Sequence, residues 1–542
     1  MQLKISDDLS TTAVTTRGKD ALAPRIVPAL TIVSHPQPQR IGERLLLEML
    51  ATVGRTASLS RNAPDFSRPG SLLALPLGDP FISRKPVQFE PGARGGLRLL
   101  VPEDGTTVHV AGEAVTGGRE FSPQELASGV PLVLAERVVL LLHLASFSSA
   151  AASGPGDLGM VGQGEGVRRV REDIARVADL HVPVLVRGET GSGKELVARA
   201  IHQLSPRRDG PFISVNLGAL SKELVASELF GARKGAYTGA TGEREGFFRA
   251  AHGGTLFLDE VGEAPPEVQV ALLRVLETGE VFPVGANAPV RVDVRLITAT
   301  DANLEERIRQ GLFKAPLLHR LAGFEIQVPP LRERREDIGP LFMHFARQEL
   351  ETTGEVQRLT SADPRSEPWL PASLAMRLMR YAWPGNIRQL RNVARQLVIG
   401  SRGLQGLRID SRLEQELDSA AIPIPGQSLS APAPSTAEAP DALAEKPTRR
   451  KPSDVGEQEL LEALRACSWD LKATADRLGI PRSSVYVLID KSTLIRTARD
   501  LSPEEITRCF HECQGDLDEM VRRLEVSKRA LQRRVRELGL GG

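Results

Sequence analysis

Residues 182–202 read VPVLVRGETGSGKELVARAIH: an apolar strand, a glycine-rich turn and a helix in direct succession. This order demands a parallel sheet covered by helices, because the turn serves its purpose only when the strand end and the helix start meet on one edge of such a sheet. The turn is Gly188-Glu189-Thr190-Gly191-Ser192-Gly193-Lys194-Glu195. Its glycines let successive backbone N–H groups face phosphate oxygens, and the helix N-terminus adds partial positive charge. Lys194 is the residue that would reach the β and γ phosphates of ATP or GTP. Glu195 stands where a Ser or Thr hydroxyl usually serves magnesium, so a metal there must draw on other ligands or water.

A second half-site follows in GGTLFLDE, residues 253–260. The apolar run reads as a buried strand whose end presents Asp259 and Glu260. Asp259 can hold Mg²⁺, and Glu260 can polarise an attacking water. From about 158 to 402 strands and helices alternate.

A chain of 542 residues is too long for one core. Its 69 basic and 68 acidic residues nearly cancel, so any basic surface must be local. Residues 1–27 are polar and aperiodic and read as a disordered tail. Residues 28–148 carry short apolar runs between Gly, Pro and Asp clusters: LTIVS, RLLLEML, LLALPL, GLRLLV, TTVHVAG and VVLLLHL. They read as strands of a β-sandwich. The most apolar stretch, 130–147, is interrupted by Glu136, Arg137 and His143 and reads as two strands about a turn rather than a membrane span. Residues 420–453 are rich in Pro, Ala and Ser and form a linker. Residues 454–542 return to helical periodicity and repeat themselves: 466–494 aligns with 512–540 at an offset of 46 residues, pairing Cys467 with Cys513 and Leu478 with Leu524. Each copy has helix-turn-helix spacing. The three cysteines, Cys467, Cys509 and Cys513, cluster there without a second ligand pair. They point to helix cysteines in a reducing, cytoplasmic setting rather than a metal site or disulfides.

The motifs GETGSGKE, ELFGARKGAYTGA, GGTLFLDE, ALLRVLETGEV, PPLRERREDI and WPGNIRQLRN occur in the order found in sigma-54-dependent transcriptional activators, the bacterial enhancer-binding proteins. The resemblance spans about 158–402 and implies an AAA+ ATPase with a small helical lid (about 335–402) that assembles as a ring, usually a hexamer. The whole is then multidomain: an N-terminal β-sandwich, a central α/β AAA+ P-loop ATPase with its lid, and a C-terminal all-α helix-turn-helix region. The resemblance also implies a role for Gly235-Ala236-Tyr237-Thr238-Gly239-Ala240, the loop that touches sigma-54 in this family. It implies that Asn216 restrains Glu260 until the γ-phosphate is sensed, that Arg320 is an arginine finger for the neighbouring subunit, and that Arg388 is the second sensor. Two positions depart. Lys314 stands where a further arginine is usual and lacks its planar fork. Asp301 stands where the first sensor is usually Asn, and a carboxylate there accepts but does not donate.

The front domain resembles a worn forkhead-associated module, a phosphothreonine reader. Gly54-Arg55, Ser83 and Arg84 match its phosphate-gripping positions, whereas Pro86 and Asp104 replace its usual His and Asn. The tail repeats resemble the Fis-type helix-turn-helix, with Arg482, Ser483, Ser484 and Tyr486 in the first copy and Lys528, Arg529, Arg533 and Arg534 in the second as DNA-facing residues. The expected function is an ATP-dependent activator that binds upstream double-stranded DNA, forms a ring from dimers and remodels sigma-54 RNA polymerase holoenzyme. The competing reading is a nucleotide-binding DNA regulator with weak or lost ATPase, acting as repressor or antagonist. GAYTGA argues against other AAA+ DNA proteins.

Overall fold

The computed structural model describes residues 25–147, 156–235 and 242–419 apart from positions 54, 69, 70, 72, 361, 362 and 364, and parts of 456–540. The chain divides into two compact units, 1–429 and 430–542.

The first unit opens with twelve strands: β1 (Arg25–Ser34), β2 (Arg44–Leu46), β3 (Ala57–Leu59), β4 (Phe66–Ser67), β5 (Ala74–Leu75), β6 (Val87–Pro91), β7 (Leu97–Val101), β8 (Val108–Val110), β9 (Glu113–Ala114), β10 (Gly117–Phe121), β11 (Val130–Leu134) and β12 (Val138–Phe147). They form an eight-stranded sheet, β5-β4-β2-β1-β12-β11-β8-β9, and a four-stranded sheet, β10-β7-β6-β3. Val87 and Phe89 of β6 and Leu97 and Leu99 of β7 alternate inward, as a sheet with one solvated face requires. Strands β11 and β12 do not alternate: every residue from Val130 to Leu134, and from Val138 to Leu142, is buried. One face of this sheet meets the sandwich core and the other meets the lid, which explains the unbroken apolar run. RLLLEML is a strand only to Leu46 and then turns into helix α1 (Glu48–Val53). Leu47 and Leu50 are both buried; three residues apart, they share one side of a helical turn but would face opposite ways in a strand. Strand β1 begins at Arg25, within the stretch that reads as tail.

After helix α2 (Pro123–Ser128), helix α3 (Glu165–Val177) leads into five parallel strands: β13 (Val184–Arg187), β14 (Phe212–Asn216), β15 (Thr255–Asp259), β18 (Arg295–Thr300) and β19 (Phe324–Gln327), in the order β14-β15-β18-β13-β19. Short strands β16 (Glu280–Val281) and β17 (Val290–Arg291) pair separately. Helices α4 (Lys194–Leu204), α5 (Lys222–Phe230), α6 (Phe247–Ala250), α7 (Pro266–Thr278), α8 (Leu304–Arg309) and α9 (Ala315–Leu321) complete this layer. Alternate residues of β13 feed the two cores: Val184 and Val186 pack with α3 and α4, and Leu185 packs on the side of α5, α7 and α9.

The lid consists of α10 (Ile338–Thr353), α11 (Ala372–Arg380), α12 (Asn386–Gly400) and α13 (Ser411–Ser419). Helix α13 buries Leu413 and Leu417 and bonds through Glu414 and Asp418 to Arg377, so the lid's packing continues past 402. Sandwich and lid share one hydrophobic core. Polar ties cross the seam: Ser34 Oγ donates to the Leu370 carbonyl at 2.6 Å, and Arg137 Nη2 donates to the Ser366 carbonyl at 2.7 Å. Arg137 also pairs with Asp79 at 3.3 Å.

In the second unit, α14 (Glu457–Ala466) and α15 (Leu471–Leu478) are matched by α16 (Pro503–Glu512) and α17 (Leu517–Leu524). Both helix pairs keep the 46-residue offset of the sequence repeat. Leu464, Leu478, Met520, Val526 and Leu531 share their core. Cys509 and Cys513 are buried free thiols with sulfurs 3.8 Å apart. No group of three or more His, Cys, Asp or Glu among the described residues is arranged to hold a metal. Among the described residues, no helix is long and apolar enough to cross a membrane.

Candidate nucleotide site

Strands β15, β18 and β13 are neighbours and parallel, so their C-terminal ends deliver Asp259, Asp301 and the loop after Arg187 to one edge of the sheet. The Gly188 N–H donates to the Thr300 carbonyl at 3.2 Å, which fixes the start of the loop beside Asp301. Gly191 and Gly193 hold φ of 76° and 107°, the left-handed region that glycine enters without a Cβ penalty. Helix α4 then begins at Lys194.

Lys194 is buried, and Nζ turns back to donate to the Gly188 carbonyl at 2.8 Å and the Glu189 carbonyl at 3.3 Å. Burial lowers its pKa, opposed by the carboxylates of Asp259, Asp301 and Glu260; Arg388 adds a further cation nearby. Ser192 Oγ is buried without a hydrogen-bond partner among the described residues. A lysine held only loosely by two carbonyls of its own loop and, beside it, a hydroxyl without a partner among the described residues fit a ligand with anionic oxygens.

Asp259 Oδ1 accepts the Glu260 N–H at 3.0 Å, and burial raises the Asp259 pKa, countered by Lys194. Glu260 itself has φ of 56°. A left-handed, non-glycine residue at a strand end stores local strain, which recurs at functional positions. Glu260 Oε2 occupies the place where a Cβ on Gly218 would stand, and Asn216 Oδ1 is 3.3 Å from that place. Asn216 uses Oδ1 to accept the Ala219 N–H at 3.0 Å. Asp301 Oδ2 accepts the Thr190 hydroxyl at 2.6 Å. Glu195 pairs with Arg199 at 2.8 Å, along its own helix. Beside Gly193 opens a cavity of about 300 Å³, walled by Met160, Val170, Leu196, Val328, Phe345 and Ile387. It is a largely apolar slot at the lower end of small-ligand volumes.

Two family models match: the Sigma-54 interaction domain over residues 160–327 and the AAA+ ATPase lid domain over 332–420. NtrC of Klebsiella pneumoniae, a DNA-binding transcriptional regulator, is 46% identical over 265 residues, 49% of this chain and 54% of that protein. NtrC of Azospirillum brasilense is 38% identical over 350 residues, 62% of this chain and 69% of the relative. This chain is a sigma-54 activator by family. DctD of Rhizobium meliloti, a C4-dicarboxylate transport transcriptional regulatory protein, is 38% identical over 65% of this chain and 68% of its own. The chain spans about half the length of the first curated relatives it matches. Among solved structures, NtrX of Brucella abortus in complex with ADP is 29% identical over 71% of this chain and 70% of that one, with a TM-score of 0.42.

In this sigma-54 family member, Lys194, Asp259, Glu260, Asp301 and Arg388 come together. Lys314, just before α9, and Arg320, on α9, are both exposed. The Lys314 N–H donates to Gln269 at 2.9 Å and Arg320 lies 3.6 Å from Glu277, both partners on α7. Of the GAYTGA loop, Gly235 is exposed with φ of 81°, and Ala236, Tyr237, Thr238, Gly239 and Ala240 lie outside the described residues. The loop's neck is closed: Ala232 and Arg244 exchange backbone bonds at 3.0 and 2.8 Å. In the sandwich, Arg55 and Arg84 are exposed and Ser83 is half-buried; the Ser83 N–H donates to Thr106 at 2.8 Å, and Lys85 pairs with Asp104 at 2.9 Å. Gly54 lies outside the described residues, as do Arg482, Ser483, Ser484, Tyr486, Lys528, Arg529 and Arg533, whereas Arg534 is described and half-buried.

Sequence reasoning missed Gly218, Arg332 and Asn386. Arg332 binds Glu189 of the phosphate loop through two bonds, and Asn386 binds Glu189 and Thr190. The last two lie inside PPLRERREDI and WPGNIRQLRN, but nothing in those strings reveals that they meet Glu189.

Proposed function

We propose that this chain hydrolyses ATP and uses the cycle to remodel sigma-54 RNA polymerase holoenzyme, opening promoters from an upstream DNA site. The observation that carries this reading is the convergence of Lys194, Asp259, Glu260 and Arg388 at one sheet edge, inside the segment that matches the Sigma-54 interaction domain. Lys194 leaves its loop carbonyls for the β and γ phosphates. Glu260 orients and deprotonates the attacking water. Arg388 approaches the phosphates from the lid, and Gly188 to Glu195 wrap them. Asp259 would hold Mg²⁺, which would supply charge neutralisation; one carboxylate plus substrate oxygens is a common arrangement for this ion. Arg320 and Lys314, both exposed, serve the site of the neighbouring subunit in a ring, usually a hexamer built from dimers. The 235–240 loop touches sigma-54.

The N-terminal sandwich is the sensory domain of a cytoplasmic regulator, and 454–542, beyond the 420–453 linker, holds the double-stranded DNA through its Fis-like repeats. Arg55, Ser83 and Arg84 give the sandwich a phosphothreonine-protein reading. The proximity of the 83–85 and 104–106 turns favours it, and the Asp104 charge opposes it. A phosphothreonine peptide library with no enrichment over unphosphorylated peptides would remove it. The main test mixes the full chain, ATP, sigma-54 holoenzyme and a premelted promoter probe. ATP-dependent isomerisation of the closed complex is expected. Nucleotide binding without phosphate release, at ring-forming concentration, would instead leave a nucleotide-gated repressor or antagonist.

A further inference from the structure

The turn Trp383–Asn386 lies directly on the phosphate loop. A Cβ on Gly191 would collide with the Gly385 carbonyl and come within 3.1 Å of Arg388 Cβ, so backbone meets backbone here. The Arg388 N–H donates to the Gly191 carbonyl at 3.3 Å. Asn386 is fully buried and holds φ of 51°, a conformation that asparagine tolerates better than most side chains. Its amide is fully used. Oδ1 accepts the Leu331 N–H at 2.8 Å, and Nδ2 donates to Glu189 Oε2 and the Thr190 carbonyl, both at 3.1 Å. Arg332 grips the same Glu189 carboxylate at 2.8 and 2.6 Å. One side chain therefore ties together the phosphate loop, the segment leading into the lid, and the helix that bears Arg388.

We propose that Asn386 is a positioning residue that transmits the geometry of the phosphate loop to the lid and so sets where Arg388 stands when nucleotide binds. The proposal rests on reading the loop as a nucleotide site. If bound phosphates rearrange residues 189–191, the lid turn must follow or two part-buried hydrogen bonds break, leaving the fully buried Asn386 amide short of acceptors, which is costly. An amide suits the position because it presents one acceptor and two donors on a single planar group. Aspartate would keep the bond to Leu331 but set a carboxylate against Glu189.

Hydrogen exchange on the full-length chain, with and without ADP, tests this. In the wild type, ADP should slow exchange at 188–195 and also at 386–400. In Asn386→Asp the phosphate loop should still slow, while the slowing of the lid helix falls at least threefold. Asn386→Gly, which keeps the left-handed φ without adding charge, should do the same. Adding Glu189→Gln to Asn386→Asp lets the new amide donate to the new carboxylate and should bring lid protection back to within twofold of wild type. In ATP hydrolysis, Asn386→Asp should lower kcat about tenfold with KM within threefold, and should cost nothing further in an Arg388→Ala background. Normal lid protection in both single variants overturns the proposal. So does failure of the Glu189→Gln rescue, multiplicative losses with Arg388→Ala, or loss of phosphate-loop protection in both single variants, which would make Asn386 merely structural. If ADP protects neither segment of the wild type, the nucleotide reading itself falls and takes the proposal with it.

Discussion

At the phosphate loop, Lys194 is buried near carboxylates yet, among the described residues, bonds to carbonyls of its own loop, and Ser192 Oγ beside it has no partner there. At the seam between sandwich and lid, Arg137 is equally buried, but it bonds to Asp79 and to the Ser366 carbonyl, reaches Glu367 at 3.4 Å and lies over the Phe81 ring at 4.3 Å. Both regions take charge out of water. The first leaves its hydrogen-bonding capacity open to something that is not protein, and the second spends it within the chain. Charge with spare capacity marks a place where removing a side chain should cost function. Fully partnered charge marks a place where removal should cost stability.

That contrast can be broken from either side. The largest effect is expected at the open site: Glu260→Gln should lower ATP turnover about a hundredfold or more while nucleotide still binds. Phosphate release and calorimetric ADP titration check the two halves. A parallel loss of fold stability would erase the distinction. Next comes the seam. Arg137→Ala strands the Asp79 carboxylate, whose side chain is 0% exposed, and should destabilise the first unit by about 3–5 kcal/mol in denaturant titration, with ADP affinity little changed.

A smaller change sharpens the comparison within the open site. Asp301→Asn removes one negative charge near Lys194 while leaving an oxygen to accept from Thr190. ATP affinity should rise by about threefold to tenfold, the order expected for one charge at short range in a partly solvated site. A titration that shows weaker binding would mean that the carboxylate, and not its oxygen alone, is needed.

A pH dependence tests the seam from the stability side. Glu336 is enclosed with Asp337, Arg44 and Arg334. Burial, reinforced by Asp337, pushes its pKa up from the ordinary 4.5 to about 7, against the pull of the two arginines. Between these values the folded chain holds a proton that the unfolded chain has released. The stability from this group is therefore fully present below about 4.5 and is lost as pH rises through about 7. Melting of the first unit should show a downward component over that window, and Glu336→Gln should flatten it. An unchanged slope in the variant would assign the titration elsewhere.

The sequence made local features legible. The strand-loop-helix at 182–202, the carboxylates after β15, the β11–β12 pair and the tail repeat all rest on neighbours in the chain, and periodicity and glycine placement expose them. What depended on distant partners stayed hidden. The apolar run 130–147 showed two strands, but not that one face would be taken by α11, more than two hundred residues later. The Glu189–Asn386 bond joins positions 197 apart, and no spacing rule connects them. Gly218 looked like any loop glycine until Glu260 proved to fill the volume above it. RLLLEML misled because leucines at successive positions satisfy strand and helix patterns alike.

The account stands or falls on coupling between nucleotide and sigma-54. The most direct measurement is retention of purified sigma-54 by the full-length chain in the presence of ADP–aluminium fluoride, comparing the wild type with Thr238→Ala. The wild type should retain sigma-54 only with the transition-state analogue. Thr238→Ala should lose that retention while keeping ATP hydrolysis and DNA binding near wild-type levels. Failure of the wild type to retain sigma-54 under this condition, or equal retention by Thr238→Ala, would contradict the account.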